Sequence, residues 1–341
     1  MIFFRRLTGL SLILGLIVQL TVFGQSKGLA GVEPRMRVIV DNDFSGDPDG
    51  LFQLAHLLMS PSVEIRAIIG SHLHVNDGFD RSKTQADNAA KKAKEVLQAM
   101  NVTKAIPVFA GSNTAMVNDS TPVKNEAVSF IIQEALRTDT KTPLYVVCGA
   151  GLTEIASAAL TDSRIADKLT LIWIGGPEYS DLALPPPGYS EVEYNLNIDQ
   201  AAARVVFNRS ALRLWQIPRN VYRQCLLSYA QLLTKVKPQG KIGAYLSETL
   251  EVLMDRIQKF INIGETYILG DSPLVLLTAL QSSFEPDPSS SQYVVRQAPR
   301  INQAGTYVHN HAGRPIRVYT QLDTNLMFAD FFAKLELLNR H

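Results

Sequence analysis

Cysteine is nearly absent from this 341-residue chain, and its scarcity narrows the chemistry at once. With only Cys148 and Cys225 present, a disulfide-stapled scaffold is excluded, and no Cys pair or His-x-x-x-His spacing supplies a zinc site. Cys148 ends the apolar run Leu144-Tyr-Val-Val-Cys and reads as a small buried hydrophobe. Whether it pairs with Cys225 is not written in the sequence. Charge is sparse too. Charged residues make up 19% of the chain and the net charge is +1, so bulk electrostatics select neither nucleic acid nor an anionic membrane surface as a partner. Sustained repeats are missing, and low complexity is confined to Pro286 to Gln292, which reads as a flexible loop. Long apolar runs are missing as well, with one exception at the start. Leu7 to Val22 follows Arg5 and Arg6 and precedes small residues, the order of a signal peptide over residues 1–24, with cleavage as late as 30. The run is short for a comfortable membrane span. The expectation is an exported protein, periplasmic or secreted, with no stable membrane association after processing.

Residues 31–341 then remain, enough for one large α/β domain. Short apolar runs at Met36–Val40, Val63–Gly70, Pro107–Ala110, Leu144–Cys148, Leu169–Ile174 and Ala211–Ile217 read as strands. Helical patterns over Leu51–Leu58, Thr84–Met100, Ala127–Leu136, Leu152–Leu160 and Gln200–Phe207 alternate with them. This alternation predicts a single domain with a mostly parallel central sheet flanked by helices, an open Rossmann-like core. In such sheets a ligand sits in the crevice at the carboxyl ends of the strands. Leu184 to Gly188, with three prolines in a row, reads as a rigid rim.

What the chain does have is Asp41-Asn42-Asp43-Phe44-Ser45-Gly46-Asp47-Pro48-Asp49-Gly50, directly after the first strand. Four carboxylates on one strand-end loop repel one another unless they are neutralised, and a hard cation with oxygen ligands does this. A solvated acidic turn is the plain alternative. An EF-hand fails, because Phe52 stands where the bidentate Glu belongs and a strand precedes the loop. A phosphotransferase with an Asp nucleophile fits Asp41-x-Asp43-x-Ser45, but it needs a lysine and a second paired-acid loop. Asp271-Ser272-Pro273 offers one acid only.

The acidic loop resembles, in a lengthened form, the signature of the inosine-uridine preferring nucleoside hydrolase family, and other segments follow in that family's order. Ala89 to Gly111 resembles its helix and strand. Gly149-Ala150-Gly151-Leu152-Thr153-Glu154-Ile155-Ala156 is similar to its Gly-Pro-Leu-Thr-Asn-Ile-Ala turn. Ile172-Trp173-Ile174-Gly175-Gly176 resembles the strand ending in Met-Gly-Gly, and Glu193-Tyr194-Asn195 with Asp199 resembles Glu-Phe-Asn and the following helix start. Asp271-Ser272-Pro273-Leu274 is similar to the late His-Asp-Pro-Leu box. The resemblance runs from Arg37 to Leu335.

It implies hydrolysis of the N-glycosidic bond of ribonucleosides to ribose and free base, by a Ca²⁺-bound water activated by Asp43. The implied metal ligands are Asp43, Asp47 or Asp49, the Thr153 backbone carbonyl and Asp271. Glu193 and Asn195 are implied to hold the 5′ side of the sugar. The departures matter as much. Gly50 replaces the second acid of the loop, and Gly270 replaces the His that in purine-active members helps protonate the leaving base. His72 and His74 end a strand that should face the crevice, and Tyr222 and Arg223 fall where the family approaches the base. These four are the candidate substrate-binding and leaving-group residues. With the acid missing, a non-catalytic Ca²⁺-dependent nucleoside- or pentoside-binding protein stands as the alternative. The expected partner is a small nucleoside, and a homo-oligomer is left open.

Overall fold

The computed structural model describes residues 31–282 and 290–340. The signal segment and most of the serine-rich loop therefore lie outside the described residues. Six strands appear where apolar runs predicted them: β1 (Met36–Asn42), β2 (Val63–Gly70), β3 (Val108–Ala110), β4 (Leu144–Cys148), β5 (Leu169–Ile174) and β6 (Arg213–Ile217). Helices α1 (Asp49–Leu58), α2 (Gln85–Ala99), α3 (Glu126–Ala135) and α4 (Thr153–Thr161) connect the first five of these strands. The sheet order is β3-β2-β1-β4-β5-β6, all parallel. It is extended by Pro315–Gln321, parallel to β6, and then by Gln292–Gln297, antiparallel at the edge. Neither of these last two strands was expected from the sequence.

Side chains alternate across the pleat. Val38 and Val40 of β1 enter one apolar cluster with Leu51, Leu54 and Ile68, while Ile39 enters the other with Ile69, Ile131 and Ile155. Both sheet faces are thus covered, as parallel sheets require. Helix α2 reaches the sheet on an alanine face, Ala86, Ala89, Ala90 and Ala93. The approach is so close that a Cβ on Gly70, the last residue of β2, would collide with the Ala90 backbone nitrogen and lie 2.8 Å from the Ala86 carbonyl. Glycine is what lets β2 end against α2. At the opposite end of the sheet the buried pair Arg37–Glu134 closes the base. Among the described residues no helix is long and apolar enough to cross a membrane.

Candidate active site

Strand β1 runs two residues further than expected, so Asp41 and Asn42 belong to the sheet rather than to the loop. They separate there. Asp41 is fully buried, accepts the Ser71 hydroxyl, and leaves its Oδ2 without a hydrogen-bond partner. Burial, and then the nearby Glu154, push its pKa well up. Asp41 does not line the crevice; Asn42 turns the other way, and its Nδ2 donates to Asp271 Oδ2 at 2.8 Å.

Past the strand end the chain bends and α1 begins at Asp49. Asp43, Asp47 and Asp49 line one cavity of about 460 Å³ together with Asp271, which sits between the strand Thr266–Ile268 and the short helix Pro273–Leu276. Asp49 Oδ2 accepts the Asp271 backbone N–H at 3.1 Å, which joins the two walls. Burial, followed by Asp271, Asp47 and Asp77, raises the pKa of Asp43 well above the usual carboxylate range. Asp49 is raised in the same way by burial, by Asp271 and by Asp47, with which it shares a hydrogen bond. Asp271 is pushed up to about 8, mainly by burial, while the Asn42 hydrogen bond opposes the shift. Among the described residues no Lys, Arg or His lines the cavity, so protons or an added cation must balance this charge. Hard carboxylate oxygens from two chain segments suit a cation such as Ca²⁺. Among the described residues, however, no three Asp, Glu, His or Cys side chains are drawn into a ready coordination shell.

The glycines explain the arrangement. A Cβ on Gly50 would meet Asn42 Nδ2 at 2.9 Å and Asp271 Oδ2 at 3.3 Å, so this position does point at the acids. A Cβ on Gly149 would lie 2.5 Å from the same Asn42 nitrogen. The Asn42 amide fills the room that both leave. A Cβ on Gly270 would stand 3.3 Å from Asp49 Oδ2 and 3.4 Å from Tyr222 Cδ2, on the cavity wall where a leaving-group acid is missing.

Asn195 lines the cavity, and its Nδ2 donates to the carbonyls of Gly149 at 3.0 Å and Ile174 at 2.8 Å. Both amide hydrogens are therefore engaged, and the amide oxygen remains for a ligand. Glu193 is buried behind it and does not line the cavity. Its carboxylate caps the helix Tyr194–Ile198, accepts the Gly176 N–H at 2.7 Å and takes the Tyr222 hydroxyl at 2.7 Å. Glu193 thus places Asn195 and Tyr222 rather than touching a ligand. Gly176 makes this possible with φ 87°, a conformation that favours glycine.

Several expected residues lie elsewhere. Thr153 opens α4, so its carbonyl belongs to the helix ladder, and its hydroxyl donates to Asp199 at 2.7 Å. What the end of β4 delivers to the cavity is Gly149. His72 is buried and tied at both ring nitrogens, to the Leu73 carbonyl at 2.8 Å and to the Thr153 hydroxyl at 3.0 Å. His72 is a strut in the wall. His74 and Arg223 are exposed and do not line the cavity. The lysine that a phosphotransferase needs is missing from the lining.

Two aromatic residues went unnoticed in the sequence. Tyr194 donates to Asp77 at 2.9 Å and Tyr267 to Asp47 at 2.8 Å, and both line the cavity with Tyr222, Leu226 and Ile268. Their only signal was position, one residue before Asn195 and four before Asp271.

Known proteins bear on this site. A curated inosine-uridine preferring nucleoside hydrolase from Crithidia fasciculata is 35% identical over 94 residues, a match spanning 28% of this chain and 27% of that protein. The fold is shared with a plant nucleoside hydrolase (TM-score 0.67, 18% identity, 89% of this chain and 99% of that one). It is shared too with the inosine-uridine preferring nucleoside hydrolase of Bacillus anthracis (TM-score 0.64, 16% identity, 89% and 99%). The sequence profile for inosine-uridine preferring nucleoside hydrolases matches residues 38–329, nearly the whole described chain, and to that family this protein belongs.

Proposed function

We propose that this protein is a hydrolase of N-glycosyl bonds that cleaves ribonucleosides, or closely related N-ribosides, to ribose and free base, with Asp43 as the general base. The observation that carries the reading is the convergence of Asp43, Asp49 and Asp271 on one cavity at the strand ends, without a basic side chain among the lining residues. Those three carboxylates are the residues suited to hold Ca²⁺, and Asp47, tied to Tyr267, stands beside them. A bound Ca²⁺ supplies a grip on vicinal sugar hydroxyls and a lowered pKa for a coordinated water.

The chain's own residues do the rest. Asp43 takes the proton of the attacking water, and the surrounding carboxylates stabilise positive charge growing on the ribose as the C1′–N bond breaks. The Asn195 amide oxygen receives a sugar hydroxyl, held in place by the bonds that lock its nitrogen. The N-terminal segment supports a place of action outside the cytoplasm. A Ca²⁺-dependent nucleoside-binding protein is the rival reading, favoured by Gly270 at the position of the missing acid. Ribose release separates the two. The purified protein is incubated with purine, pyrimidine and pyridinium ribosides, with Ca²⁺ or with chelator. Ribose formed with Ca²⁺ and lost with chelator is expected, and ribose from none of them refutes hydrolysis.

A further inference from the structure

The cavity is lined by carboxylates and aromatic rings, and among the described residues it presents no cationic proton donor to a leaving group. None of its lining residues is His, Lys or Arg. The phenols of Tyr194, Tyr222 and Tyr267 already donate to Asp77, Glu193 and Asp47. Gly270 contributes no side chain. A neutral purine or pyrimidine departs as an anion unless it is protonated, and this wall offers it no proton. A base that carries a fixed positive charge needs none.

We infer that the preferred substrates are ribosides of cationic aza-aromatic bases, such as an N-ribosylpyridinium or an N7-alkylated purine nucleoside. The inference rests on the riboside-hydrolase reading above. Recognition and chemistry agree on it. The rings of Tyr194 and Tyr267 line the cavity, where a cation can meet a π system, and their hydroxyls donate to Asp77 and Asp47. A divalent cation offsets only two of the three charges of Asp43, Asp49 and Asp271, so with Asp47 and the nearby Asp77 the cavity keeps a net negative charge for a cationic base. Phe79 is not needed, since the Arg256 guanidinium already lies 5.5 Å from its ring centre. In the reaction the C1′–N bond breaks with its electron pair going to the ring nitrogen, which loses its positive charge. The water oxygen bonds to C1′ and its proton goes to Asp43, from which it returns to solvent. Ribose and an uncharged base leave.

Matched pairs test this in the Ca²⁺-loaded protein. The kcat/KM for 7-methylguanosine is compared with that for guanosine, and the kcat/KM for nicotinamide riboside with that for uridine, each above its nonenzymatic rate. The cationic member is expected to lead by at least about a hundredfold. Inhibition constants for 1-methylnicotinamide and nicotinamide read recognition without chemistry, and the cation is expected to bind at least about tenfold tighter, the size of a desolvated cation–π contact. Guanosine and uridine turned over as fast as their cationic counterparts, or equal inhibition by the two nicotinamides, would overturn the inference while leaving riboside hydrolysis standing. Ribose from neither class removes the riboside-hydrolase reading, and this inference with it.

Discussion

Removing divalent cations should make the protein's stability depend on pH in a direction opposite to ordinary acid denaturation. Asp271 carries a pKa of about 8 in the fold, raised mainly by burial, against roughly 4 in the unfolded chain. A folded pKa above the unfolded one means that folding takes up a proton. That stability is fully present below about pH 4 and is lost as pH rises toward 8. While Asp271 stays protonated in the fold and ionised in the unfolded chain, the loss is about 1.4 kcal/mol per pH unit. Asp43 and Asp49, shifted in the same direction, add to it. From pH 5 to pH 8 the chelated protein should therefore lose roughly 4 kcal/mol. At an unfolding entropy of roughly 2.1 cal/mol/K per residue over about 310 residues, this lowers Tm by about 6 °C. Ca²⁺ at a hundred times its Kd restores about 2.7 kcal/mol, or about 4 °C. At one fixed Ca²⁺ concentration the increment should be larger at pH 8, where protons compete less for the same oxygens and the Kd is lower. Scanning calorimetry at pH 5, 6, 7 and 8, with Ca²⁺ and with chelator, gives both numbers. A chelated Tm that stays flat over this range, together with no Ca²⁺ increment at pH 8, would refute the reasoning.

Asp43→Asn should lower kcat by about 10²- to 10⁴-fold, since it removes the proton acceptor; a variant keeping more than about a tenth of the wild-type rate on the best riboside contradicts its assignment as base. Gly70→Ala should cost about 1–3 kcal/mol, because its methyl group meets the α2 backbone rather than a movable side chain; urea titration reads this, and an unchanged midpoint would mean that α2 can shift away from β2 at little cost.

The strands most legible in the sequence are those buried on both faces. The bounds of β4 and β5 fall where the apolar runs Leu144–Cys148 and Leu169–Ile174 do, because a parallel strand covered on both sides leaves few polar positions to blur its ends; β2 matches Val63–Gly70 as well, although Glu64 and Arg66 are half-exposed at its start. The edge strand Gln292–Gln297 is half exposed along its length and begins and ends in glutamine, so it carries no such signal. In the site, the acids were visible because charge at a strand end is anomalous. The Asn42–Asp271 bond was not visible, since it joins residues 229 apart. Tyr194 appeared in the sequence only within Glu193-Tyr194-Asn195, and Tyr267 carried no signal, until the fold turned both into one cavity. His72 shows the converse limit. β2 stops at Gly70, and in the turn beyond the strand His72 is directed to Thr153 rather than into the cavity.

The great sequence distance between the two acid walls has a kinetic consequence. Asp43 and Asp49 belong to the first crossover of the sheet, whereas Asp271 follows in the chain all six parallel strands β1 to β6 and two further short strands, Leu226–Ser228 and Thr266–Ile268. Contacts this remote form late, because the closure entropy of the whole intervening chain must be overcome first. A cation held by both walls would therefore grip a surface that forms late in folding. Its stabilisation belongs on the unfolding limb of a chevron, as slower opening with the refolding rate unchanged. The loaded protein would then be distinguished less by how readily it forms than by how long it lasts.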